Sequence, residues 1–327
     1  MQKPTVGAPP STGRRQVLTG RRQVLAAMSA GALLVACGGR PGSSSATTSA
    51  PVATTGSTAS GWRLGARFAD GYVAPSALVA GSPQRAPYVL LGSDGWPMGT
   101  EGPDRLDLVI RRAGAADDTG TAGGPVVATH TVERHGGDKA SPYFPLVFEV
   151  DEPGEYVVHL TAGDAGSEPH HLRVVGRDET TLIQVGDRLP AMTTPTETDP
   201  AGVDPICTQP NGPCSFHRLS VAEALVQPGP VALLVSTPRF CQSDVCGPTI
   251  GLLRSALRVR SEPWSAVHAE VYVAPEANDF STTPTVAALG LAFEPSLVVA
   301  DADGTVTAAL HFTMDATEVA AALATAV

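Results

Sequence analysis

The chain has 327 residues, enough for two or three domains. It carries 22 Lys and Arg against 32 Asp and Glu, and because nucleic-acid binders normally need a clustered cationic face, this acidic balance argues against a nucleic-acid partner. Hydrophobic residues make up 43% of the chain and charged residues 17%, so most of it can bury a core rather than remain disordered.

The first 36 residues are expected to be an export signal peptide. An apolar run at Val24–Ala36 directly follows the basic pair Arg21-Arg22. This run is too short to cross a hydrocarbon core of about 30 Å as a helix, and its place behind a basic pair is typical of a signal peptide. Arg21-Arg22 and an earlier copy at Arg14-Arg15 resemble the twin-arginine export signal.

A cysteine follows the apolar run directly. The sequence Leu34-Val35-Ala36-Cys37 resembles the lipobox of bacterial lipoproteins, which implies that Cys37 is lipidated and becomes the first residue of the mature protein. Residues 37–60 are rich in Ser and Thr and are expected to form a flexible linker. We therefore expect an extracytoplasmic folded part, Gly61–Val327, whose membrane-lipid partner is reached through Cys37 at the outer face of the cell membrane.

Residues 61–178 are predicted to form an all-β domain. Gly, Pro and Asp clusters, which mark turns, separate its β-rich runs. Leu106, Leu108 and Ile110 alternate with more polar residues, as in a strand with one buried face. This pattern predicts a two-sheet sandwich built from Trp62–Phe68, Tyr88–Gly92, Leu106–Arg112, Val126–Arg134, Phe144–Val150, Glu155–Thr161 and His171–Gly176.

The segment Asp151–Tyr156 resembles the turn before a late strand in immunoglobulin-like domains, where a tyrosine packs across the corner. The resemblance implies an immunoglobulin-like sandwich, although the paired cysteines of antibody domains are absent. Adjacent His170 and His171 should point to opposite faces of a strand, so they cannot both bind one ion without distortion. His130, Glu133 and His135 could converge only through a bend. No metal site is therefore predicted here, and the domain is interpreted as a spacer or partner-binding module.

Residues 179–327 are predicted to alternate strands and helices. Ser220 with Glu223 forms a capping box that opens a short helix. The apolar run Val231–Ser236 is typical of a strand buried on both faces. The remaining pattern predicts a helix at Pro248–Val259, a strand at Val267–Val273, a helix at Pro284–Leu289, strands at Leu297–Ala300 and Val306–Phe312, and a final helix at Ala316–Ala326 capped by Asp315 with Glu318.

This order of elements, and the residues from Val231 to Pro248, resemble the active-site edge of thioredoxin-like proteins. Ile183–Pro190 resembles the opening strand of the branch that contains membrane-anchored reductases and peroxiredoxins. Pro295 falls where that fold places a cis-proline beside the active site. The resemblance implies a mixed fold class, in which an α/β thioredoxin-like domain follows the β-sandwich.

The cysteine motif departs from that family. Thioredoxins carry Cys-Gly-Pro-Cys, whereas this chain has Cys246-Gly247-Pro248-Thr249, and its second cysteine, Cys241, lies five positions upstream. Five residues within one helix would hold the two sulfurs apart, so Cys241 must lie in a loop and Cys246 at the helix entrance. There the helix N-terminus would lower the pKa of the Cys246 thiol.

Three interpretations of Cys241 and Cys246 remain open. As a redox couple, one would attack a disulfide or dithiol of a partner protein and the other would resolve the mixed disulfide, with Pro295 shaping the docking groove. As a copper site, the loop resembles the Cys-x3-Cys loop of copper-delivery proteins with one residue too many; only His268 and His311 could act as the distant histidine. As a permanent cross-link, the pair would only stabilise a binding scaffold.

Cys207 and Cys214 flank a turn-rich loop that suits a local, structural disulfide. A zinc site of all four cysteines is conceivable, but the unequal spacings argue against it. The sequence therefore predicts a membrane-anchored thiol-disulfide oxidoreductase with catalytic Cys241, Cys246 and Pro295, and with neither a metal nor another cofactor. The alternative is a non-catalytic surface lipoprotein whose thioredoxin-like domain is a disulfide-stabilised scaffold.

Overall fold

A computed structural model describes residues 61–66, 78–115, 123–137, 142–161, 168–241 and 245–327, all of which belong to one compact unit. The predicted signal peptide, Cys37 and the linker up to residue 60 lie outside the described residues. Within these ranges no helix has both the length and the apolar character needed to cross a membrane. The fold is mixed, with many strands and few helices, as the sequence predicts.

The N-terminal β region, residues 61–178, contains two sheets. Each of the seven predicted runs overlaps a strand, and a short additional strand precedes the second of them. The strands are β1 (Arg63–Ala66), β2 (Leu78–Val79), β3 (Gln84–Leu91), β4 (Arg105–Arg112), β5 (Val126–Glu133), β6 (Phe144–Phe148), β7 (Gly154–Leu160) and β8 (His170–Val175). One sheet has the order β1-β3-β6 and the other has the order β2-β8-β7-β4-β5.

The two sheets of this region share one hydrophobic core. Leu106, Leu108 and Ile110 of β4 are at most 1% exposed, which confirms the predicted buried face. They pack in one cluster with apolar side chains of β3, β6, β7 and β8. At the start of β7 the Tyr156 hydroxyl donates a 2.6 Å hydrogen bond to the Glu152 carbonyl, so the tyrosine spans the predicted corner.

The histidines of the β region have separate environments. His170 is half-buried and its Nδ1 lies 3.1 Å from the Tyr88 hydroxyl, whereas His171 points to the exposed face. Burial lowers the pKa of His170 to about 4. His135 bonds to Asp315 rather than to His130, and no candidate metal-ligand group among the described residues contains His130.

The C-terminal α/β region, residues 179–327, is built on a four-stranded sheet of order β10-β9-β13-β14. β10 runs parallel to β9, whereas β13 is antiparallel to both β9 and β14. The helices are α1 (Val221–Ala224), α2 (Cys246–Arg258), α3 (Pro284–Ala288) and α4 (Ala316–Ala324). The strands are β9 (Val231–Val235), β10 (Ser265–Ala269), β11 (Tyr272–Ala274), β12 (Asp279–Thr282), β13 (Ser296–Ala300) and β14 (Val306–His311).

Local signals account for most of these boundaries. The Ser220 side chain accepts from the Glu223 amide and the Glu223 carboxylate accepts from the Ser220 amide, which confirms the capping box of α1. Asp315 caps α4 by accepting from the Glu318 amide. All five residues of β9 are buried, as expected for an inner strand of the sheet.

Two strand predictions in this region were wrong. The predicted strand Val267–Val273 is interrupted because the Glu270 side chain turns inward, where Oε1 accepts from the amide and the hydroxyl of Thr208. After this break, β11 pairs with β12 in a separate two-stranded sheet. Ile183–Pro190 is a turn rather than a strand, since Gly186 has a φ of +92°, which lies outside the strand region.

A buried ion pair joins the two regions. Arg85 of β3 donates from Nε and Nη2 to both carboxylate oxygens of Glu318 on α4, each at 2.7 Å. The same guanidinium donates to the carbonyls of His311 and Thr313, and the Tyr143 hydroxyl donates to Glu318 at 2.6 Å. All three guanidinium nitrogens have an acceptor, so the contact fixes the position of α4 against the β region.

Candidate functional site: two sulfur centres

The first sulfur centre is the bond between Cys241 and Cys246. Cys246 is the first residue of α2, and Cys241 precedes it in the loop that follows β9. The two form a disulfide with Cα atoms 6.1 Å apart, as required for a pair that meets at a helix entrance. The structure thus brings together two of the three predicted catalytic residues in the predicted arrangement.

Burial distinguishes the two sulfurs of this pair. Cys246 is completely buried, whereas Cys241 is half-buried. The N-cap residue of α2 is Val245, and among the described residues no side chain caps this helix. Cys246 is the first residue of this helix, and a helix N-terminus favours negative charge on a sulfur placed there.

Pro295, the third predicted catalytic residue, follows Glu294 through a cis peptide bond at the start of β13. A carboxylate oxygen of Glu294 lies within 4.8 Å of the sulfur atoms of both Cys241 and Cys246. The segment before β13 thus reaches the disulfide. The sequence pointed to Pro295 but gave no indication that the glutamate before it approaches the sulfurs.

Aromatic side chains lie beside Cys241. Phe240 precedes the cysteine, and its ring meets that of Phe280 on β12 edge to face, with centroids 5.8 Å apart. Phe280 also contacts Tyr272 of β11 at 5.3 Å and remains 47% exposed. These three residues, here called the aromatic rim, form a connected group of rings that begins at the residue before Cys241.

The second sulfur centre contains Cys207 and Cys214, which are free thiols in the structure rather than the predicted disulfide. Both are buried, and both sulfurs face the same imidazole nitrogen. Nδ1 of His268 on β10 lies 3.7 Å from Sγ of Cys207 and 3.6 Å from Sγ of Cys214. The side chains converge because β10 carries His268 beneath the loop that holds the two cysteines.

His217 completes this group, here called the Cys2His2 cluster. Its Nε2 lies 3.1 Å from Nδ1 of His268, and the ligand atoms of Cys207, Cys214, His217 and His268 all lie within 4.8 Å of one another. His217 was missed in the sequence, although Cys214-Ser215-Phe216-His217 has the short spacing of a ligand pair. His268 was considered only as a distant copper ligand for Cys241 and Cys246.

Electrostatics and hydrogen bonds hold the cluster in place. The hydrogen bond with the Cys214 thiol, together with the two histidines, lowers the pKa of Cys207, whereas the same contact and burial raise the pKa of Cys214. The fully buried Glu270 accepts from Thr208, the residue after Cys207. Burial raises the pKa of Glu270, and its Oε2 has no hydrogen-bond partner in the part of the chain described.

The other histidine considered for copper lies apart from both sulfur centres. Nδ1 of His311 bonds to the Ser296 hydroxyl at 3.0 Å, and burial lowers the pKa of His311 to about 3. Among the described ranges, the ligand group around Cys241 and Cys246 contains Glu294 and no histidine. The described surroundings of Cys241 and Cys246 therefore lack the histidine that the copper interpretation of this pair requires.

The two centres offer different chemistry. A disulfide at a helix N-terminus with one partly exposed cysteine can exchange with partner thiols. Two thiols and two imidazoles that converge in a closed, buried group have the donor types of a metal site. A scan against known protein families finds none that matches this chain, and a search of curated proteins finds no match either.

Proposed function

We propose that this chain is an extracytoplasmic, membrane-anchored lipoprotein that acts as a thiol-disulfide oxidoreductase through Cys241 and Cys246. The observation that carries the proposal is a disulfide at the N-terminus of α2 between a half-buried cysteine, Cys241, and a fully buried one, Cys246. The membrane anchor is lipid on Cys37, and this part of the proposal is supported by the sequence around Leu34–Cys37 alone.

The fold assignments are part of the same proposal. The parallel β9-α2-β10 unit, followed by the antiparallel strands β13 and β14 and by α4, supports a thioredoxin-like domain. Two sheets around one core, with a tyrosine corner at Tyr156, support an immunoglobulin-like sandwich for the β region. The sandwich would then hold the redox domain at a fixed position through the buried Arg85 contact.

Disulfide exchange would begin at Cys241, because it is the more exposed residue of the pair. A partner thiolate attacks Sγ of Cys241, the bond to Cys246 breaks, and its electron pair leaves on the Cys246 sulfur. The partner's second thiolate then attacks the partner sulfur that is bonded to Cys241, and Cys241 leaves as a thiolate. The partner is oxidised to a disulfide, and its two thiol protons end on the reduced Cys241 and Cys246.

The helix N-terminus favours this order of events. The leaving sulfur of Cys246 gains negative charge at the first turn of α2, where the backbone amides stabilise it. A lower thiol pKa makes a better leaving group, so the helix promotes opening of the disulfide at Cys241. The same steps in reverse would reduce a partner disulfide, with Cys246 as the buried resolving thiol.

Single cysteine substitutions test the redox proposal. In the full-length chain, Cys241→Ser should abolish oxidation of a reduced peptide dithiol. Cys246→Ser, given the oxidised peptide disulfide, should attack it with the Cys241 thiolate, release the other peptide sulfur as a thiolate, and accumulate a mixed disulfide at Cys241. Mass spectrometry of the trapped adduct and a turnover assay measure both results. The reduction potential of the pair in glutathione buffers should lie above about −300 mV, as for exchangeable disulfides.

The opposite result would support the scaffold interpretation. If wild type and both variants exchange disulfides at the same background rate, and the pair has a potential below about −300 mV, the bond is structural. Cys37→Ser is the matched control for thiol chemistry, since it should leave exchange unchanged. In the expressing cell it should also release the protein from the membrane fraction, which tests the proposed lipid anchor separately.

The aromatic rim gives a second prediction about this site. Phe280→Ser should lower the rate of exchange with a reduced unfolded protein, such as reduced ribonuclease A, by about tenfold, because apolar contact with the partner is lost. Exchange with dithiothreitol, which is too small to use the rim, should be unchanged.

Val259→Ser is the matched control for this change. Val259 is also an exposed apolar residue, at 84% exposure, but it lies at the far end of α2 from Cys246. If Phe280→Ser lowers the exchange rate equally with reduced ribonuclease A and with dithiothreitol, the aromatic rim stabilises the site itself rather than contacting the partner.

A further inference from the structure

We infer that Cys207, Cys214, His217 and His268 form a closed, tetrahedral binding site for a zinc ion. The site is separate from the disulfide of Cys241 and Cys246 and does not depend on the proposed redox function. Its four side chains are each at most 4% exposed and come from two distant parts of the chain, the loop 207–217 and strand β10.

The distances agree with four ligands around one ion. Bond lengths of about 2.3 Å for Zn–S and about 2.0 Å for Zn–N imply tetrahedral edges of about 3.5 Å between sulfur and nitrogen and about 3.3 Å between two nitrogens. The two sulfur-to-His268 distances are 3.7 and 3.6 Å, and the nitrogen-to-nitrogen distance to His217 is 3.1 Å. All remaining ligand atoms also lie within 4.8 Å of one another.

The outward nitrogens of both histidines are placed to carry the proton. Nε2 of His268 lies 3.1 Å from the Ser236 carbonyl, and Nδ1 of His217 lies 3.3 Å from the Pro195 carbonyl. A carbonyl oxygen can only accept, so each ring best donates from that nitrogen. This is the arrangement by which metal-binding histidines are oriented through a second hydrogen bond.

The inward nitrogens are then left with lone pairs that face each other. In neutral rings, Nε2 of His217 and Nδ1 of His268 have no proton between them, although they are only 3.1 Å apart. Two acceptors at this distance repel unless a positive centre lies near both. A metal ion bound by the lone pairs and by the two sulfurs removes this conflict.

The charge of the site favours zinc over a monovalent ion. Zn²⁺ bound by two thiolates and two neutral imidazoles gives a group with no net charge, which suits burial in a hydrophobic core. Cu⁺ with the same four donors would leave a buried net negative charge. Binding would displace the two thiol protons of Cys207 and Cys214 and leave every ligand atom occupied.

The zinc site would support the loop that carries the disulfide. His268 bonds to Ser236, which lies between β9 and Cys241. The amide of Arg239 donates to the Thr208 hydroxyl at 3.2 Å, so this loop also rests on the residue next to Cys207. The ion would therefore be a structural zinc that fixes both loops, since no ligand position is open for a substrate.

Metal content and cobalt spectroscopy of the full-length chain test the inference. Protein purified without chelator should contain one zinc ion per chain, with a dissociation constant of about 1 nM or tighter in competition with a chelator. Replacement of zinc by Co²⁺ should give the visible d–d bands of a tetrahedral site together with thiolate-to-cobalt charge transfer. Cys214→Ser and His217→Ala should each weaken zinc binding by about 100-fold or more.

The control is the double variant Cys241→Ser/Cys246→Ser, which should keep one zinc per chain even if all exchange activity is lost. Thus failure of the redox proposal and failure of the zinc site give different results. If the ligand variants do not fold, the zinc and cobalt content of the wild-type chain still decides, and alkylation of the unfolded wild-type chain without reductant tests separately for a disulfide, because Cys207 and Cys214 should both be alkylated. A Cys207–Cys214 disulfide, or absence of zinc and cobalt binding by the reduced chain, would overturn the inference.

Discussion

Arg85→Met is expected to lower the free energy of unfolding by about 3–5 kcal/mol. The substitution leaves the Glu318 carboxylate without its guanidinium partner at a position where both side chains are at most 10% exposed. Loss of one partner of a buried ion pair is strongly destabilising, because the remaining charge is uncompensated. Denaturant unfolding, followed by circular dichroism, measures the change.

Two further variants separate this effect from a general loss of charge. Arg177→Met removes an exposed ion pair with Asp187 and should cost less than about 1 kcal/mol. The double variant Arg85→Met/Glu318→Leu should be more stable than Arg85→Met alone, because no unpaired charge remains. If Arg85→Met is no more harmful than Arg177→Met, then the contact does not hold the two regions together.

Asp315→Ala should cost about 2–4 kcal/mol and should also change how stability depends on pH. The carboxylate caps α4, accepts from the Gly136 amide, and bonds to His135 at 2.9 Å. Removal of a helix cap costs about 1 kcal/mol, and hydrogen bonds to a charged group contribute about 1.5–3 kcal/mol. Urea unfolding at several pH values measures both effects.

The hydrogen bond to Asp315 raises the pKa of His135, although burial opposes the shift. Burial alone would raise the pKa of Asp315, but the bonds from His135 and from the backbone amides of Glu318 and Gly136 lower it overall. The His135 contribution is therefore fully present below about pH 6.5 and is lost as the pH rises through the raised pKa. The Asp315 contribution is present above about pH 4 and is lost on acidification.

The variant His135→Gln isolates the His135 contribution, which is the one that is lost as the pH rises. The stability difference between wild type and His135→Gln should be greatest between about pH 4 and 6.5 and should decrease above it. His171→Gln, on the exposed face of β8, is the matched histidine control. A constant difference between wild type and His135→Gln across the pH range in which the imidazole loses its proton would contradict the proposed coupling.

Local sequence signals predicted most of the fold. Leu106, Leu108 and Ile110 alternate with more polar residues, which indicates a strand with one buried face. The unbroken apolar run of β9 indicates a strand buried on both faces. Both patterns can be recognised within a few consecutive residues. The capping residues Ser220 and Asp315 mark helix starts because the interaction spans only three positions. The sequence failed where a distant partner decides the local structure, as where Thr208 draws Glu270 inward and ends the predicted strand early.

The candidate sites show the same difference between features set by neighbouring residues and features set by distant ones. Cys241 and Cys246 could be placed at a helix entrance because the run Val231–Pro248 resembles the active-site edge of thioredoxin-like proteins, and because helix geometry prevents the bond from closing within one helix. The Cys2His2 cluster could not be derived in this way, because His268 lies 54 positions after Cys214 and meets it only through the sheet. A turn-rich loop between two cysteines is compatible with a disulfide and with a metal site, so the nearby histidines must decide.

The contact between loop 207–217 and β10 also bears on self-association. β10 is the last strand of its sheet, and the His268 amide on its outer side donates to the Phe216 carbonyl rather than to another strand. Unpaired amides along a sheet margin are templates for pairing with other copies of a chain. We therefore expect any condition that frees this loop to promote aggregation before it promotes global unfolding.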